Sequence, residues 1–253
     1  MSGHSKWSTI KRAKGIADIK KGQTFTKVAM AISIAAKAGN SGNPEDNPRL
    51  RQVLEEAKSV NMPKENVQRA IDKGMGKLPG QTIEEVIYEG YGPGKVAFFI
   101  EGATDNKLRT LAEIKNLFER SGGSLGGHGS VAFMFDSKGE IKVDSKGGNK
   151  DDELLELIDL GADDVEEIIE ENIQKYLVYT QSPELNTMGN KITQAGYRVE
   201  SKELILKPNI LVEIKDLELA KKVLEFAHKI EDMDDVQKVF ANFNIEESII
   251  QSL

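Results

Sequence analysis

Basic residues are concentrated at the beginning of the chain, where their chemistry is suited to binding phosphate groups. The first 22 positions contain six basic residues and one acid, Asp18. Such groups release condensed counterions when they contact nucleic-acid phosphates, which gives affinity and a steep salt dependence but little reading of sequence. A solvated tail that only keeps the protein soluble is the alternative interpretation. The candidate phosphate contacts are Lys6, Lys11, Arg12, Lys14, Lys20 and Lys21.

The single tryptophan of the chain, Trp7, stands among these basic residues. An indole ring stacks on exposed bases, and this contact is typical of single-stranded nucleic acid and RNA loops. A lone tryptophan can equally anchor a tail on a hydrophobic core. Trp7 is therefore a candidate contact with an open structural alternative.

The net charge of the chain, −7, is unevenly distributed. Residues 1–80 carry 15 Lys and Arg against 7 Asp and Glu, a net charge of +8, so the remaining 173 residues carry −15. This asymmetry is the pattern expected when one region contacts a polyanion and the rest of the protein repels it.

A glycine-rich segment, residues 122–129, is a second pattern that could carry chemistry. Loops of this composition cradle phosphates when they end in Lys-Ser/Thr and open a helix. Here that ending is missing and the segment leads into an apolar run typical of a strand. The sequence therefore favours a structural turn over nucleotide binding.

Metal binding and catalysis find little support in the sequence. His4, His128 and His228 are far apart, and the chain has no cysteine. The acidic runs do not match a calcium-binding loop. No nucleophile is paired with a base, so we predict a non-enzyme without cofactor, and a hydrolase remains a remote alternative.

The N-terminus is basic but lacks the apolar run of a secretory signal, and no stretch approaches 18 consecutive apolar residues. Absence of cysteine fits a reducing compartment. We therefore expect a cytoplasmic protein without membrane association.

Helical periodicity dominates the N-terminal part after a flexible arm, residues 1–22. We predict a three-helix bundle over residues 23–80, because each helix has an apolar stripe too short to be buried alone. Asn47 followed by Pro48 is typical of a helix start, as N-cap and first helical residue. The third helix is expected to expose Lys64, Gln68, Arg69 and Lys73.

Strand and helix patterns alternate after the bundle and indicate an α+β class. Residues 138–207 show the order β-α-β-β-α-β of a ferredoxin-like domain, which we predict to be inserted into a discontinuous α+β domain, residues 81–137 and 208–253. In the latter, a helix from about Asn106 to Arg120 carries Leu108, Leu111, Ala112, Lys115 and Phe118 along one side, and residues 129–135 are expected to enter a buried strand.

The sequence resembles the YebC/PmpR family, and the similar stretches span almost the whole chain in order. Because eight stretches match in sequence order, the resemblance is far more specific than any single motif. They are MSGHSKW at 1–7, FTK at 25–27, NPRLR at 47–51, NMPKENVQRAI at 61–71, YEGYGPG at 88–94, TDNKLRT at 104–110, GSVAFMF at 129–135 and EDMDDVQKVFANFNI at 231–245.

The resemblance implies a helical domain followed by two α+β domains, one interrupting the other, and a regulatory function without catalysis. The family is commonly described as DNA-binding transcriptional regulators. Some members, including a mitochondrial translational activator, look like ribosome-associated factors that assist translation of proline-rich stretches. The implied partner is DNA or ribosomal RNA, with the ribosome as the alternative assembly. At positions that match the family, the resemblance implies three further candidate contacts besides Trp7 and the basic residues of the arm. They are Lys27, Arg49 and Arg51.

Overall fold

The computed structural model describes residues 21–78, 83–170, 173–250 and 252, and it shows three helices followed by α+β structure. The helices are α1 Lys21–Ala38, α2 Pro48–Ser59, α3 Lys64–Gly74, α4 Lys107–Arg120, α5 Lys150–Asp159, α6 Leu185–Gln194, α7 Leu217–Glu231 and α8 Glu247–Ile250. The strands are β1 Glu84–Tyr91, β2 Ala97–Thr104, β3 Ser124–Leu125, β4 Phe135–Asp144, β5 Asp164–Glu170, β6 Ile173–Gln181, β7 Val199–Pro208, β8 Val212–Ile214, β9 Val236–Ala241 and β10 Phe243–Ile245. Of the described helices, none is both long enough and apolar enough to cross a membrane.

The first three helices pack around one apolar core, which confirms the predicted bundle. Its fully buried side chains include Ile32 from α1 and Leu50 from α2, and Ile71 of α3 is 7 % exposed. Helix α1 begins at Lys21, two residues before the Gln23 expected from the sequence. Burying a shared core stabilises α2 and α3, which with 12 and 11 residues are too short to be stable alone in water.

Asn47 fixes the entry into α2, as its position before Pro48 predicts. Its side-chain oxygen accepts the N–H of Leu50 at 3.0 Å, and its Nδ2 donates to the carbonyl oxygens of Ala35 at 2.8 Å and Ser41 at 3.1 Å. A Cβ atom on Gly39 would lie 2.2 Å from Asn47 Nδ2. The turn between α1 and α2 is therefore built around this one buried amide.

The first sheet has the strand order β3-β1-β2-β9, so strands from both ends of the α+β region share it. Phe226 of α7 packs edge-to-face on Phe98 of β2 and on Phe118 of α4, each with ring centroids 4.9 Å apart. Edge-to-face pairs of this kind add about 1 kcal/mol to the burial of their area. Strand β9 thus completes a sheet that begins at residue 84, and helix α7 packs against this sheet through Phe226.

Helix α4 buries a different side from the one that the sequence predicts. Leu108 is 79 % exposed and Leu111 39 %, whereas Thr110, Ile114 and Phe118 are fully buried. Ala112 and Lys115 are exposed as well, so of the predicted face only Phe118 is buried. The prediction was wrong for the other four because a polar residue occupies a core position. The Thr110 hydroxyl is satisfied there by the carboxylate of Asp235 at 2.5 Å.

The second sheet has the order β5-β6-β4-β7 with each neighbouring pair antiparallel, and helices α5 and α6 lie in the crossovers. This is the predicted ferredoxin-like arrangement, which confirms the fold class. Its core contains Ile141, Leu157, Tyr176 and Ile192, all fully buried. A separate short parallel pair joins β8 to β10.

Residues 129–134 do not form the strand that the sequence predicts. Ala132–Met134 form a 3-10 turn, and the strand begins only at Phe135, which pairs with Pro208 of β7. The backbone N–H groups of Gly129, Val131 and Ala132, before and at the start of this turn, donate to the buried carboxylate of Glu89. A segment whose N–H groups are already engaged cannot pair as a strand through them.

Candidate nucleic-acid interface

Of the ten predicted contacts, six lie outside the described residues and four lie within them. The arm residues Lys6, Trp7, Lys11, Arg12, Lys14 and Lys20 lie outside the described residues. Lys21 is the first residue of α1. The remaining three candidates, Lys27, Arg49 and Arg51, belong to the bundle, and each of them has an intramolecular partner.

Lys27 is half-buried on α1, and its Nζ donates a hydrogen bond to the backbone carbonyl of Glu231. That carbonyl belongs to the last residue of α7, where helices leave acceptors without an intrahelical donor. The ammonium therefore satisfies a helix end and joins the bundle to α7. This contact gives Lys27 a structural role within the protein.

Arg49 forms an ion pair with Glu85 at the surface, and the two side chains are 52 % and 55 % exposed. An exposed pair of this kind contributes about 0–1 kcal/mol, so phosphate can compete for the guanidinium.

Arg51 is bound by backbone carbonyl groups instead of a carboxylate. Its Nε and Nη2 donate to the carbonyl oxygens of Pro44 and Glu45, both at 3.0 Å, and they brace the turn before α2.

Four other cations on α2 and α3 have no hydrogen-bond or ion-pair partner among the described residues: Lys58, Lys64, Arg69 and Lys73. Lys58, Lys64 and Arg69 are exposed and Lys73 is half-buried. The sequence indicated the three on α3 as exposed, but not Lys58. The sequence feature that could have identified Lys58 is its spacing from Arg51 and Leu54, which places all three residues on one side of α2.

A cleft of about 580 Å³ lies between α2 and α3. Leu54, Ala57, Met62 and Val67 form its apolar floor. The rim is polar and contains Arg51, Lys58, Lys64, Gln68, Glu45 and Glu55. This cleft has an apolar floor and a rim with both positive and negative side chains. A surface that binds only phosphates needs hydrogen-bond donors and cations alone.

The glycine-rich loop is organised around the carboxylate of Glu89, which is 2 % exposed. Glu89 accepts the backbone N–H groups of Gly129 at 2.7 Å, Val131 at 2.8 Å and Ala132 at 2.9 Å. Burial raises the pKa of Glu89, but these three hydrogen bonds outweigh it and hold the pKa below its ordinary value. The N–H groups that would otherwise cradle a phosphate are thus engaged by the protein's own carboxylate.

The two histidines that the structure describes lie beside different carboxylates. His128 Nδ1 lies 3.4 Å from Glu89 Oε1, with an 86 % exposed side chain, and His228 Nε2 lies 3.3 Å from Asp232 Oδ2. Within the described ranges, no three His, Asp or Glu side chains are grouped so as to hold a metal ion. His4 lies outside those ranges.

Two family models match the chain. The model described as TACO1/YebC protein N-terminal domain covers residues 5–77, and the model described as TACO1/YebC second and third domain covers residues 83–243. The first match contains the bundle with its cleft. The second contains both sheets and the Glu89 loop.

Relatives are similar to the chain over its full length. A probable transcriptional regulatory protein of Dictyoglomus thermophilum is 45 % identical over 254 residues, with 100 % of each chain covered. One from Sulfurihydrogenibium sp. is 46 % identical over 253 residues, covering 100 % of this chain and 99 % of the relative. The crystal structure of a conserved hypothetical protein from Aquifex aeolicus superimposes with a TM-score of 0.81 at 41 % identity, covering 96 % of this chain and 98 % of the other.

Proposed function

Because the chain belongs to the TACO1/YebC family, we propose that it regulates gene expression by binding nucleic acid through its N-terminal region. The observation that carries this proposal is a set of cations on α2 and α3 that have no partner within the described part of the chain. They are Lys58, Lys64, Arg69 and Lys73, and they follow a sequence segment already rich in Lys and Arg. Cations without carboxylate partners are the groups that exchange small counterions for phosphates.

A role in transcription is the first candidate, since the relatives carry the name of probable transcriptional regulatory proteins. On this proposal the target is duplex DNA, and Arg69 and Lys73 on α3 contact its phosphates. The contacts position the protein, because lysine and arginine on phosphate carry no sequence information by themselves. Arg49 joins them by exchanging Glu85 for phosphate.

A role in translation, on the ribosome, is the second candidate. The cleft between α2 and α3 favours it, because a concave site with an apolar floor suits an unstacked base better than the outside of a duplex. Both candidates place the protein in the cytoplasm, with a polyanionic partner and without a catalytic step or cofactor. They differ in which nucleic acid is bound.

The proposal is tested by fluorescence anisotropy with purified full-length protein. The probes are a 20-base-pair DNA duplex and a ribosomal RNA hairpin, titrated at several KCl concentrations. Replacing Arg69 and Lys73 by Gln should flatten the slope of log affinity against log salt by about 0.9 unit for each DNA phosphate that the variant no longer neutralises. Lys221 and Lys222 on α7, replaced by Gln in the same way, provide the control and should leave the slope unchanged.

Sedimentation through a sucrose gradient separates the two candidates. Comigration of the protein with ribosomes that disappears after nuclease treatment supports the translational role. Binding to the duplex without comigration supports the transcriptional role. Absence of binding to duplex, hairpin and ribosome at low salt would overturn the proposed function as a whole.

A further inference from the structure

The cleft between α2 and α3 has a floor that phosphate binding does not require. Met62 is 9 % exposed, and Leu54 and Val67 are half-buried beside it. A phosphate group gains nothing from apolar contact, whereas the face of a base does. Methionine sulfur also makes favourable contacts with aromatic rings. The floor therefore suits a flat, largely apolar group of the size of a nucleobase.

Each of the two helices supplies one lysine to the rim of this cleft. Lys58 comes from the last turn of α2 and Lys64 from the first turn of α3, and neither ammonium has a partner among the described residues. Phosphates that flank an inserted base lie on either side of it along the strand. Two ammonium groups contributed by the two walls of the cleft match that arrangement in charge.

Acidic and amide groups complete the rim. Glu45 and Glu55 would repel a phosphate, but their carboxylates accept hydrogen bonds from the amino groups of bases and from ribose hydroxyls. Gln68 donates through Nε2 to Asp72 Oδ1 at 3.1 Å, which orients its amide and leaves its oxygen as an acceptor. A site with cations for phosphates and acceptors for a base edge matches a whole nucleotide.

We propose that this cleft binds one unstacked nucleotide of a single-stranded nucleic acid, its base against Leu54, Met62 and Val67 and its flanking phosphates at Lys58 and Lys64. The inference rests on the proposed function and names the class of its partner. A base paired within a duplex cannot enter the cleft without being flipped out, which costs several kcal/mol. Single strands and loops are therefore preferred.

The test uses the full chain and a 12-nucleotide single strand carrying 2-aminopurine at its centre, prepared as RNA and as DNA. The same DNA strand in a duplex is the comparison probe. Gln68→Trp places a large side chain at the rim of the cleft. Asn66→Trp is the matched control, because Asn66 is exposed on the opposite side of α3 and does not line the cleft. Thermal melting of both variants checks that they fold.

Insertion of the base predicts a rise in 2-aminopurine emission on binding to the unaltered protein, since the base leaves its stacked neighbours. Gln68→Trp should weaken single-strand binding at least about fivefold, the lower limit for removing one stacked base. Duplex binding should change by less than about twofold. Asn66→Trp should retain both affinities. Lys58→Gln with Lys64→Gln offers a second variant that leaves the floor intact and should also weaken single-strand binding.

Equal single-strand affinity for Gln68→Trp and Asn66→Trp, or bound oligonucleotide without a change in emission, would overturn the cleft assignment while leaving the proposed function standing. Preferential binding of RNA over DNA supports a ribose contact, and equal binding supports recognition through base and phosphate. If Gln68→Trp instead prevents capture of an acidic amphipathic peptide and leaves oligonucleotide binding intact, the cleft is a peptide site and the proposal is wrong.

Discussion

The guanidinium of Arg109 donates a hydrogen bond to the carboxylate of Asp235 at 2.9 Å, joining residues 126 positions apart. The oxygen that accepts this hydrogen bond, Asp235 Oδ2, also accepts from the hydroxyls of Thr104 at 3.0 Å and Thr110 at 2.5 Å. The backbone carbonyl of Asp235 also accepts the N–H of Ala103 at 2.7 Å. Asp235, immediately before β9, therefore contacts both the end of β2 and the beginning of α4.

We expect Asp235→Ala to lower the free energy of unfolding by about 3 kcal/mol, because it removes a buried carboxylate that accepts from two threonine hydroxyls and from the Arg109 guanidinium. Burial raises the pKa of Asp235, but hydrogen bonds from Thr110, Arg109 and Thr104 hold the pKa below its ordinary value. Urea denaturation at neutral pH measures the loss. Asp234→Ala, at an exposed neighbouring position, is the control. Equal stability of the two variants would contradict this role.

Glu89→Gln should destabilise the glycine-rich loop by about 1–3 kcal/mol at neutral pH, because an amide cannot accept all three backbone N–H groups that the carboxylate binds. The folded-state pKa of Glu89 is lowered, so its contribution is present above the unfolded pKa, about 4.3, and is lost as the pH falls through the folded value. Stability measured between pH 7 and pH 2.5 should therefore fall less steeply in Glu89→Gln than in the unaltered protein. Glu113→Gln, exposed on α4, should behave as the unaltered protein.

Asn47→Ala should lower the free energy of unfolding by about 2 kcal/mol. It removes the cap on α2 and the side-chain donor to the carbonyl oxygens of Ser41 and Ala35, of which Ala35 keeps the N–H of Gly39. Chemical denaturation followed by far-ultraviolet circular dichroism provides the measurement. Asn116→Ala on the exposed side of α4 is the matched control, and a loss as large as that for Asn47→Ala would remove the argument.

We propose that the inserted ferredoxin-like domain folds on its own, because its core is closed by residues of β4, α5, β6 and α6. A fragment covering residues 133–210, which extends the predicted 138–207 to include all of β4 and β7, should show a cooperative thermal transition. The same fragment with Leu157→Asn, which places a polar group in a fully buried position, should lose it. A non-cooperative melt of the first fragment would contradict the proposal.

Replacing Lys11, Arg12 and Lys14 by Gln should reduce the salt dependence of nucleic-acid binding. If each contacts a phosphate, the slope of log affinity against log salt should flatten by about 0.7–0.9 unit per residue, similarly for all target sequences. Lys202, Lys215 and Lys222 are replaced by Gln as a control of equal charge change. A slope identical in both variants would mean that these arm residues serve only solubility.

Local patterns in the sequence were sufficient for much of the fold. Asn47 and Pro48 predicted the start of α2 because a cap is formed by residues three positions apart. The order β-α-β-β-α-β was readable because strand and helix periodicities are properties of short segments. The charge asymmetry that indicates a polyanionic partner is likewise a property of composition. The assignment of residues 1–22 as a binding arm stays a prediction from the sequence.

Contacts between distant residues were decided only by the tertiary structure. Leu108 and Leu111 matched the helical period of an apolar face, but the core accepted Thr110 because Asp235, 125 positions away, satisfies its hydroxyl. Lys27 donates to the carbonyl of Glu231, and Lys58 and Lys64 line the same cleft. Sequence spacing specifies which side of its own helix a residue occupies, whereas the partner that a side chain meets depends on how separate elements pack together.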